Sequence, residues 1–371
     1  MRTRDAVLEY QRTLADAGTL TIDLDLVDPV SALELEFDAT NGTTSNEDNF
    51  ISDVITKVEL VDGSTVLTSL SLAQLEALYF YKTGKSPTLF PSEWASGSQR
   101  HNVLLLFGRH LWDPTYAMDF TRYKNPQLKI TSNLAAVRAV SATTAFATGT
   151  LRATAVAKVM EQTGSKPSKF LMQKEIESFT SAASGEKRID MPVDFPYRMV
   201  MLRAYLEGYD PRELITDAKL TADTDAFIAF NRKVQQLDAV EFARTGWVEL
   251  THNIFRATGG VVRGLCQVET QFEFKPNVST QFTVFVHTLN FSGNVTLETQ
   301  TPAGASAGTR QYWGQEKGHA LHGTCPFRFG LPDDPTTWFD PKTYKKLELI
   351  LTQATVNGVC SVVAEQERPI G

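Results

Sequence analysis

Apolar and polar residues alternate along much of the chain at a spacing of two, the mark of a strand with one buried face. Leu20, Ile22, Leu24 and Leu26 alternate with Thr21, Asp23 and Asp25. Leu33, Leu35 and Phe37 alternate with Glu34 and Glu36. One face is apolar and the other acidic, as in half-buried antiparallel strands, and Asp28-Pro29 marks the turn between them. Val54, Val58 and Leu60 predict another strand that ends at Asp62-Gly63, and residues 103–107 and 151–159 predict two more. In the second half, strand pattern returns at 199–202, 268–274, 282–286, 295–297 and 360–364.

Helical spacing is rarer. Val7, Tyr10 and Leu14 fall at i, i+3 and i+7, which predicts an amphipathic helix over residues 1–18. Arg2, Arg4 and Arg12 would allow that helix a peripheral membrane contact. Ser71-Leu-Ala-Gln74 reads as a capping box, opening a helix with Leu72, Leu75, Leu78 and Tyr79 on one side and a stop at Gly84. Residues 221–242 place Phe227, Phe230, Val234, Leu237 and Val240 close to one helical face. Residues 39–49, 84–101 and 301–309 read as loops, and Gly164-Ser-Lys-Pro-Ser168 as a linker.

One stretch occurs twice. Phe107-Gly108, Asp113-Pro114-Thr115, Asp119, Tyr123-Lys124 and 128–130 match Phe329-Gly330, Asp334-Pro335-Thr336, Asp340, Tyr344-Lys345 and 347–349, in the same order. The halves also end alike, at 157–162 and 362–366. A long-period repeat of two copies indicates two similar domains rather than a solenoid. Asp before Pro suits a helix N-cap with Pro at the first helical position. Each copy therefore predicts a loop, one or two helical turns and a strand, with the aspartates as caps rather than catalytic carboxylates. Many short strands, long loops and few helices indicate an all-β sandwich or barrel, and with the repeat a duplicated β-sandwich. The expected division is the helix at 1–18, a first sandwich at 19–163, a linker at 164–170 and a second sandwich at 171–371.

Composition adds bounds. The chain has 371 residues, 42% apolar and 21% charged, with a net charge of -7. No dense basic run marks a nucleic-acid footprint, so direct nucleic-acid binding is not expected. Residues 1–10 lack an apolar core of signal-peptide length, which points to synthesis in a cytoplasm. Asn41, Asn277, Asn290 and Asn294 open glycosylation-type triplets and carry little weight without a secretory signal. Cys266, Cys325 and Cys360 are odd in number and widely spaced, which fits buried thiols better than a disulfide framework or zinc site.

Catalytic patterns are missing: no Gly-x-Ser-x-Gly elbow, phosphate-binding glycine loop or His-Glu-x-x-His is present. Glu316-x-x-His319-x-x-His322 has metal-ligand spacing, but Gly314, Gly318 and Gly323 disfavour the helix that would put the three on one face. His101, His110, His252 and His287 are scattered. No catalytic residue, metal ligand or cofactor is expected. Trp94, Trp112, Trp247, Trp313 and Trp338 stand apart, and Trp112 and Trp338 belong to the repeated stretch, where packing is expected. A carbohydrate-active enzyme or lectin on a tandem β-sandwich is the alternative that the fold class leaves open.

The succession of residues 55–63, the Ser71 helix, residues 104–108 before Asp113, and residues 123–130 resembles the double jelly-roll major capsid proteins of tailless double-stranded DNA viruses, the adenovirus–tectivirus lineage. The second half repeats it, so the resemblance spans nearly the whole chain. It implies that the two sandwiches are tandem jelly rolls and that the chain is a structural, non-enzymatic capsid protein of the virion. Homotrimers of pseudo-hexagonal outline would tile an icosahedral shell, often around an internal membrane, with the N-terminal helix facing that lipid. It further implies that neighbouring trimers, and minor capsid and vertex proteins, are partners, and a bacteriophage is one expected source. Residues 84–101 and 301–309 become candidates for outward or inter-trimer surfaces. The family brings no catalytic residues.

Overall fold

In a computed structural model the chain is described over residues 2–43, 46, 49–92, 94–135, 137, 145–161, 166–256, 261–266, 269–276, 285–288, 293–298 and 310–370, with backbone alone between 252 and 313. The first half contains β1 (Arg2–Thr13), β2 (Ala17–Asp23), β3 (Val30–Thr40), α1 (Ile51–Val54), β4 (Ile55–Asp62), β5 (Thr65–Leu70), α2 (Leu72–Thr83), β6 (Thr88–Phe90), β7 (Ser98–Leu106), β8 (Pro126–Asn133) and β9 (Arg152–Glu161). The second contains β10 (Lys169–Thr180), β11 (Glu186–Met191), β12 (Tyr197–Tyr205), α3 (Pro211–Leu214), β13 (Ile215–Ala222), β14 (Phe227–Lys233), α4 (Leu237–Thr245), β15 (Val248–Arg256), β16 (Val261–Cys266), β17 (Glu269–Pro276), β18 (Phe285–Thr288), β19 (Gly293–Glu298), β20 (Arg310–His319), β21 (Thr324–Arg328), β22 (Leu347–Gln353) and β23 (Val359–Pro369).

The two halves share one topology. The first pairs β1-β9-β3-β7-β6 in one sheet and β2-β8-β4-β5 in the facing sheet. The second pairs β10-β23-β12-β21 and β11-β22-β13-β14. Leaving aside β6 and β15–β20, which lie between the fifth and sixth strands of their halves, both orders read first-eighth-third-sixth and second-seventh-fourth-fifth. That is the jelly roll, used twice in tandem. The rolls are joined in a continuous sheet through a parallel bridge, Ser69 of β5 to Lys174 of β10.

Alternation places the core. Leu33, Leu35 and Phe37 of β3 are fully buried with Leu128 and Ile130 of β8, Val58 and Leu60 of β4, and Ala153, Ala155 and Ala157 of β9. The second core is built from Val200, Leu202 and Ala204 of β12, Val362 and Ala364 of β23, and Leu347, Leu349 and Leu351 of β22. The alternate residues Met199, Met201 and Val363 instead belong to the first core. Strand β12 is thus buried on both faces, and this is why residues 199–202 read as an unbroken apolar run.

The N-terminal segment corrects the helix expected over residues 1–18. Residues 2–13 form the edge strand β1, paired antiparallel to β9 from Arg2↔Glu161 to Thr13↔Arg152. Ala6 and Leu8 pack on the core. Gln11, at a positive φ of 50°, sits in a register shift beyond which Leu14 is buried. A helix this short is marginal in water, whereas pairing with β9 satisfies its backbone. The helix expected over 221–242 is likewise replaced. Asp223, Thr224 and Asp225 all have positive φ and turn β13 into β14, so only residues 237–245 are α-helical. Residues 84–101 are not one exposed loop, because they contain β6 and the start of β7. The linker ends earlier than expected, since Lys169 and Phe170 already belong to β10.

Candidate functional site

The repeated stretch forms the same corner in both rolls, between the sixth and seventh strands. The Phe107 N–H donates to Ser31 O at 3.1 Å, and the Phe329 N–H to Arg198 O at 3.0 Å. Met118 bridges to Val30 at the start of β3, and Phe339 to Tyr197 at the start of β12. Asp62 Oδ1 accepts the N–H groups of Lys124 and Asn125 at 3.0 and 2.7 Å. Asp223 Oδ1 accepts those of Lys345 and Lys346, both at 2.9 Å. The corner aspartates accept backbone N–H groups, Asp113 from Thr115, Asp119 from Thr121, Asp334 from Thr336 and Asp340 from Lys342, but only Asp119 and Asp334 cap a helical turn. Each corner holds one 3-10 turn, at 120–122 in the first and 335–337 in the second, so the expected Asp-Pro pair opens a helical turn only in the second copy.

The two corners touch. The Arg109 guanidinium is held by Asp113 at 2.7 Å and donates across to Asp333 O, also at 2.7 Å. Tyr116 packs on Trp338 with ring centroids 6.1 Å apart, and both are buried with Leu171. The Tyr116 hydroxyl donates to Glu367, which also pairs with Lys169 at 2.6 Å. Burial, together with that carboxylate, pushes the Tyr116 phenol well above its usual range.

Helix α2 fills the junction between the rolls. Ser71 Oγ accepts from Gln74 N, Gln74 Oε1 accepts from Ser71 N, and Gly84 ends the helix in the left-handed region. Its leucines face the first core. Its polar side faces the second roll: Gln74 donates to Ser361 Oγ at 2.8 Å, and the Tyr81 hydroxyl to Thr324 O at 2.9 Å. Glu76 lies between two imidazoles, 2.7 Å from His101 Nδ1 and 2.5 Å from His322 Nε2. Burial alone would raise the Glu76 carboxyl, but the imidazoles outweigh it and hold it down at about 2. Lys82 and Arg198 share Glu365, at 3.3 and 2.5 Å, with all three side chains buried. Burial lowers the Lys82 ammonium to about 8, partly offset by Glu365.

β1 and β14 end their sheets, and both expose apolar side chains. Val7 and Tyr10 on β1 are 63% and 76% exposed, and Phe227 and Ile228 on β14 are 40% and 44%.

The structure separates the sequence-selected residues. His322 turns to Glu76, away from any joint site with Glu316 and His319, and among the described residues no cluster of His, Cys, Asp and Glu could hold a metal. Sequence pattern did not single out His101, which is fully buried. Cys325 and Cys360 are buried thiols outside any disulfide, and burial pushes Cys360 up to about 11. Asn41 is buried and donates to Ser92 O and Trp94 O, so it is no surface acceptor for a glycan. Trp338 is buried in the corner contact, while the Trp112 N–H donates to Ser31 Oγ. The side chains of His252, Cys266, His287, Asn294 and Trp313, and all of Asn277, Asn290 and 301–309, lie outside the described residues.

No family model and no curated protein sequence matches the chain. Its fold matches solved structures over almost its full length. The STIV major capsid protein aligns with a TM-score of 0.60 and 11% identity, covering 99% of this chain and 96% of that one. The major capsid protein P2 from bacteriophage PM2 gives 0.54 and 10%, covering 99% and 98%. PBCV-1 VP54, solved fitted into a reconstruction of the virophage Sputnik, gives 0.56 and 11%, covering 99% and 93%. The shared fold is the double jelly roll.

Proposed function

We propose that the chain is a major capsid protein, a non-enzymatic building block of a viral shell. The observation that carries this reading is the tandem double roll itself, which matches viral major capsid proteins from end to end in both chains compared. The partner is the chain itself. Within one chain, the fifth strand of the first roll meets the first strand of the second, β5 to β10. The equivalent strands left over are β14 and β1, both free edges with exposed apolar residues. Repeating the contact between copies, β14 of one against β1 of the next, is a head-to-tail association that forms a ring when the rotation closes. Three copies of two rolls each give the homotrimer of pseudo-hexagonal outline, and trimers then tile an icosahedral shell. Minor capsid and vertex proteins are further partners in this reading. An internal membrane would need a contact other than an N-terminal helix, because that segment is β1.

The sugar-binding alternative gains no observation. The polar cleft of about 460 Å³ on the outer face of β11, β22, β13 and β14 is lined by paired charges such as Arg188 with Glu348 and Lys219 with Asp225. No aromatic residue lines it to stack on a sugar ring.

Light scattering after gel filtration tests the reading. One chain is 41.1 kDa, so three make 123.3 kDa. A 123.3 kDa peak that images as a hexagonal outline is expected. A strict 41.1 kDa monomer at all concentrations would overturn it.

A further inference from the structure

A cleft of about 460 Å³ opens where α2 and the first corner meet the second roll. Its wall has two parts. One is apolar, from Leu104, Leu106 and Leu111. The other is cationic, from Lys82, Lys85, Arg109 and Arg198. Lys82 and Arg198 are buried, with side chains only 1% and 4% exposed. The carboxylates beside these cations do not match them in number. Asp333 lines the cleft, Asp113 stands behind Arg109, and Glu365 stands behind both Lys82 and Arg198. Among the described residues, four cations therefore face three carboxylates, and the shortfall falls where two buried cations share one. A buried charge without a full counter-charge is costly and is relieved by an anion that can reach it. Burial lowers the Lys82 ammonium, and the neighbouring Arg198 lowers it further. Lys82 also donates to Leu106 O at 3.0 Å and Arg198 to Pro332 O at 3.0 Å, so both heads are fixed at the back of the cleft.

We propose that this cleft binds a small oxyanion, a carboxylate or phosphate, that carries a short apolar stem. The oxyanion sits against Lys82 and Arg198, and the stem lies along Leu104 and Leu111. The proposal is independent of the capsid reading, because it concerns one chain and uses neither free strand edge.

The test uses the full chain, with hexanoate, hexyl phosphate, inorganic phosphate, hexanol and hexylamine as probes, read by thermal melting and calorimetry. Hexanoate or hexyl phosphate should bind saturably and raise the melting temperature, since a ligand held only by the folded state stabilises it by mass action. The two probes separate carboxylate from phosphate preference, and inorganic phosphate should bind more weakly than the stemmed oxyanions. Hexanol and hexylamine should not bind. The Lys82→Met variant removes the surplus charge while Arg198 keeps Glu365, and should weaken binding by about tenfold or more. If that variant does not fold, Leu111→Trp fills the stem path and should abolish binding. No saturable binding of either stemmed oxyanion, equal binding of hexanol, or undiminished binding in the folded variants would overturn the proposal. The mass of each sample, taken alongside, reports on assembly separately.

Discussion

Glu76 Oε2 lies 2.5 Å from His322 Nε2, although Glu76 is on the helix of the first roll and His322 precedes the last-but-two strand of the second. The other carboxylate oxygen holds His101 of β7. His322 reaches this position with a positive φ of 57°, a backbone conformation that an L-residue adopts at a cost. His322 O accepts from Arg203 at 3.1 Å, which fixes that strained segment to β12. Asp53 of α1 lies close enough to act on the same charges.

The Glu76 carboxyl sits at about 2 in the folded chain against 4.5 for a free one. A depressed carboxyl contributes stability that is present above 4.5 and lost as the pH falls through 2. At 1.36 kcal/mol per unit, the contribution is about 3 kcal/mol. Glu76→Gln should therefore lower stability at neutral pH by an amount of that order. It should also flatten the loss of stability between 4.5 and 2. Urea unfolding at pH 7 and pH 3 measures both. An unchanged slope in the variant would mean that the imidazoles do not hold the charge.

Glu365 accepts from Lys82, Arg198 and Gln173 with its side chain fully buried. Burial pushes its carboxyl up, but the two cations outweigh that and hold it down. Replacing it with Ala leaves two buried cations unpaired, a loss of about 3–5 kcal/mol by the usual cost of breaking a buried pair. Glu365→Gln keeps the hydrogen-bond geometry and should cost less. Chemical denaturation of the two variants checks the order. Equal costs would show that the charge is not what matters.

The repeated Phe-Gly has a steric cause. A Cβ on Gly108 would stand 2.6 Å from Tyr116 O, and one on Gly330 would stand 2.2 Å from Thr337 O, where φ is also +60°. Both neighbours are backbone and cannot swing aside. Gly108→Ala and Gly330→Ala should each destabilise by roughly 1–3 kcal/mol, the range for forced overpacking, with Gly330→Ala the worse. Thermal melting checks it. A neutral Gly330→Ala would show that the corner relaxes freely.

Much of this fold was legible locally. The alternation of Leu33, Leu35 and Phe37 gave β3, the Ser71–Gln74 capping box gave α2, and the doubled corner gave the tandem rolls. What was not legible depends on partners distant in sequence. Glu76, Tyr81 and Lys82 lie off the leucine side of α2, and nothing near them in the chain announces that the second roll will cover them. His101 sits on an alternating strand, and only the 25-residue step back to Glu76 makes it a buried charge partner. In β1, the spacing of Val7, Tyr10 and Leu14 mimics a helix because the register shift at Gln11 breaks the period of two.

That misread strand carries the last prediction. A free strand edge offers unpaired backbone groups to another chain, and soluble proteins normally guard such edges with charge or cover them. β1 and β14 do not follow that rule at Val7, Tyr10, Phe227 and Ile228. If these edges meet between copies, Tyr10→Asp or Ile228→Asp should shift the 123.3 kDa species to 41.1 kDa. A charge placed in an apolar contact must be desolvated without a partner. The melting of the monomer should stay within about 0.5 kcal/mol, because both sites are exposed on a single chain. Val356→Asp is the control: Val356 is 45% exposed in the turn between β22 and β23, remote in sequence from both edges, and should leave the mass unchanged. Dissociation by the two edge variants and not by the control would mean that the roll-to-roll contact inside the chain is repeated between chains. An undisturbed trimer in both edge variants would mean that the copies meet elsewhere, and the exposed apolar residues of β1 and β14 would then need another partner.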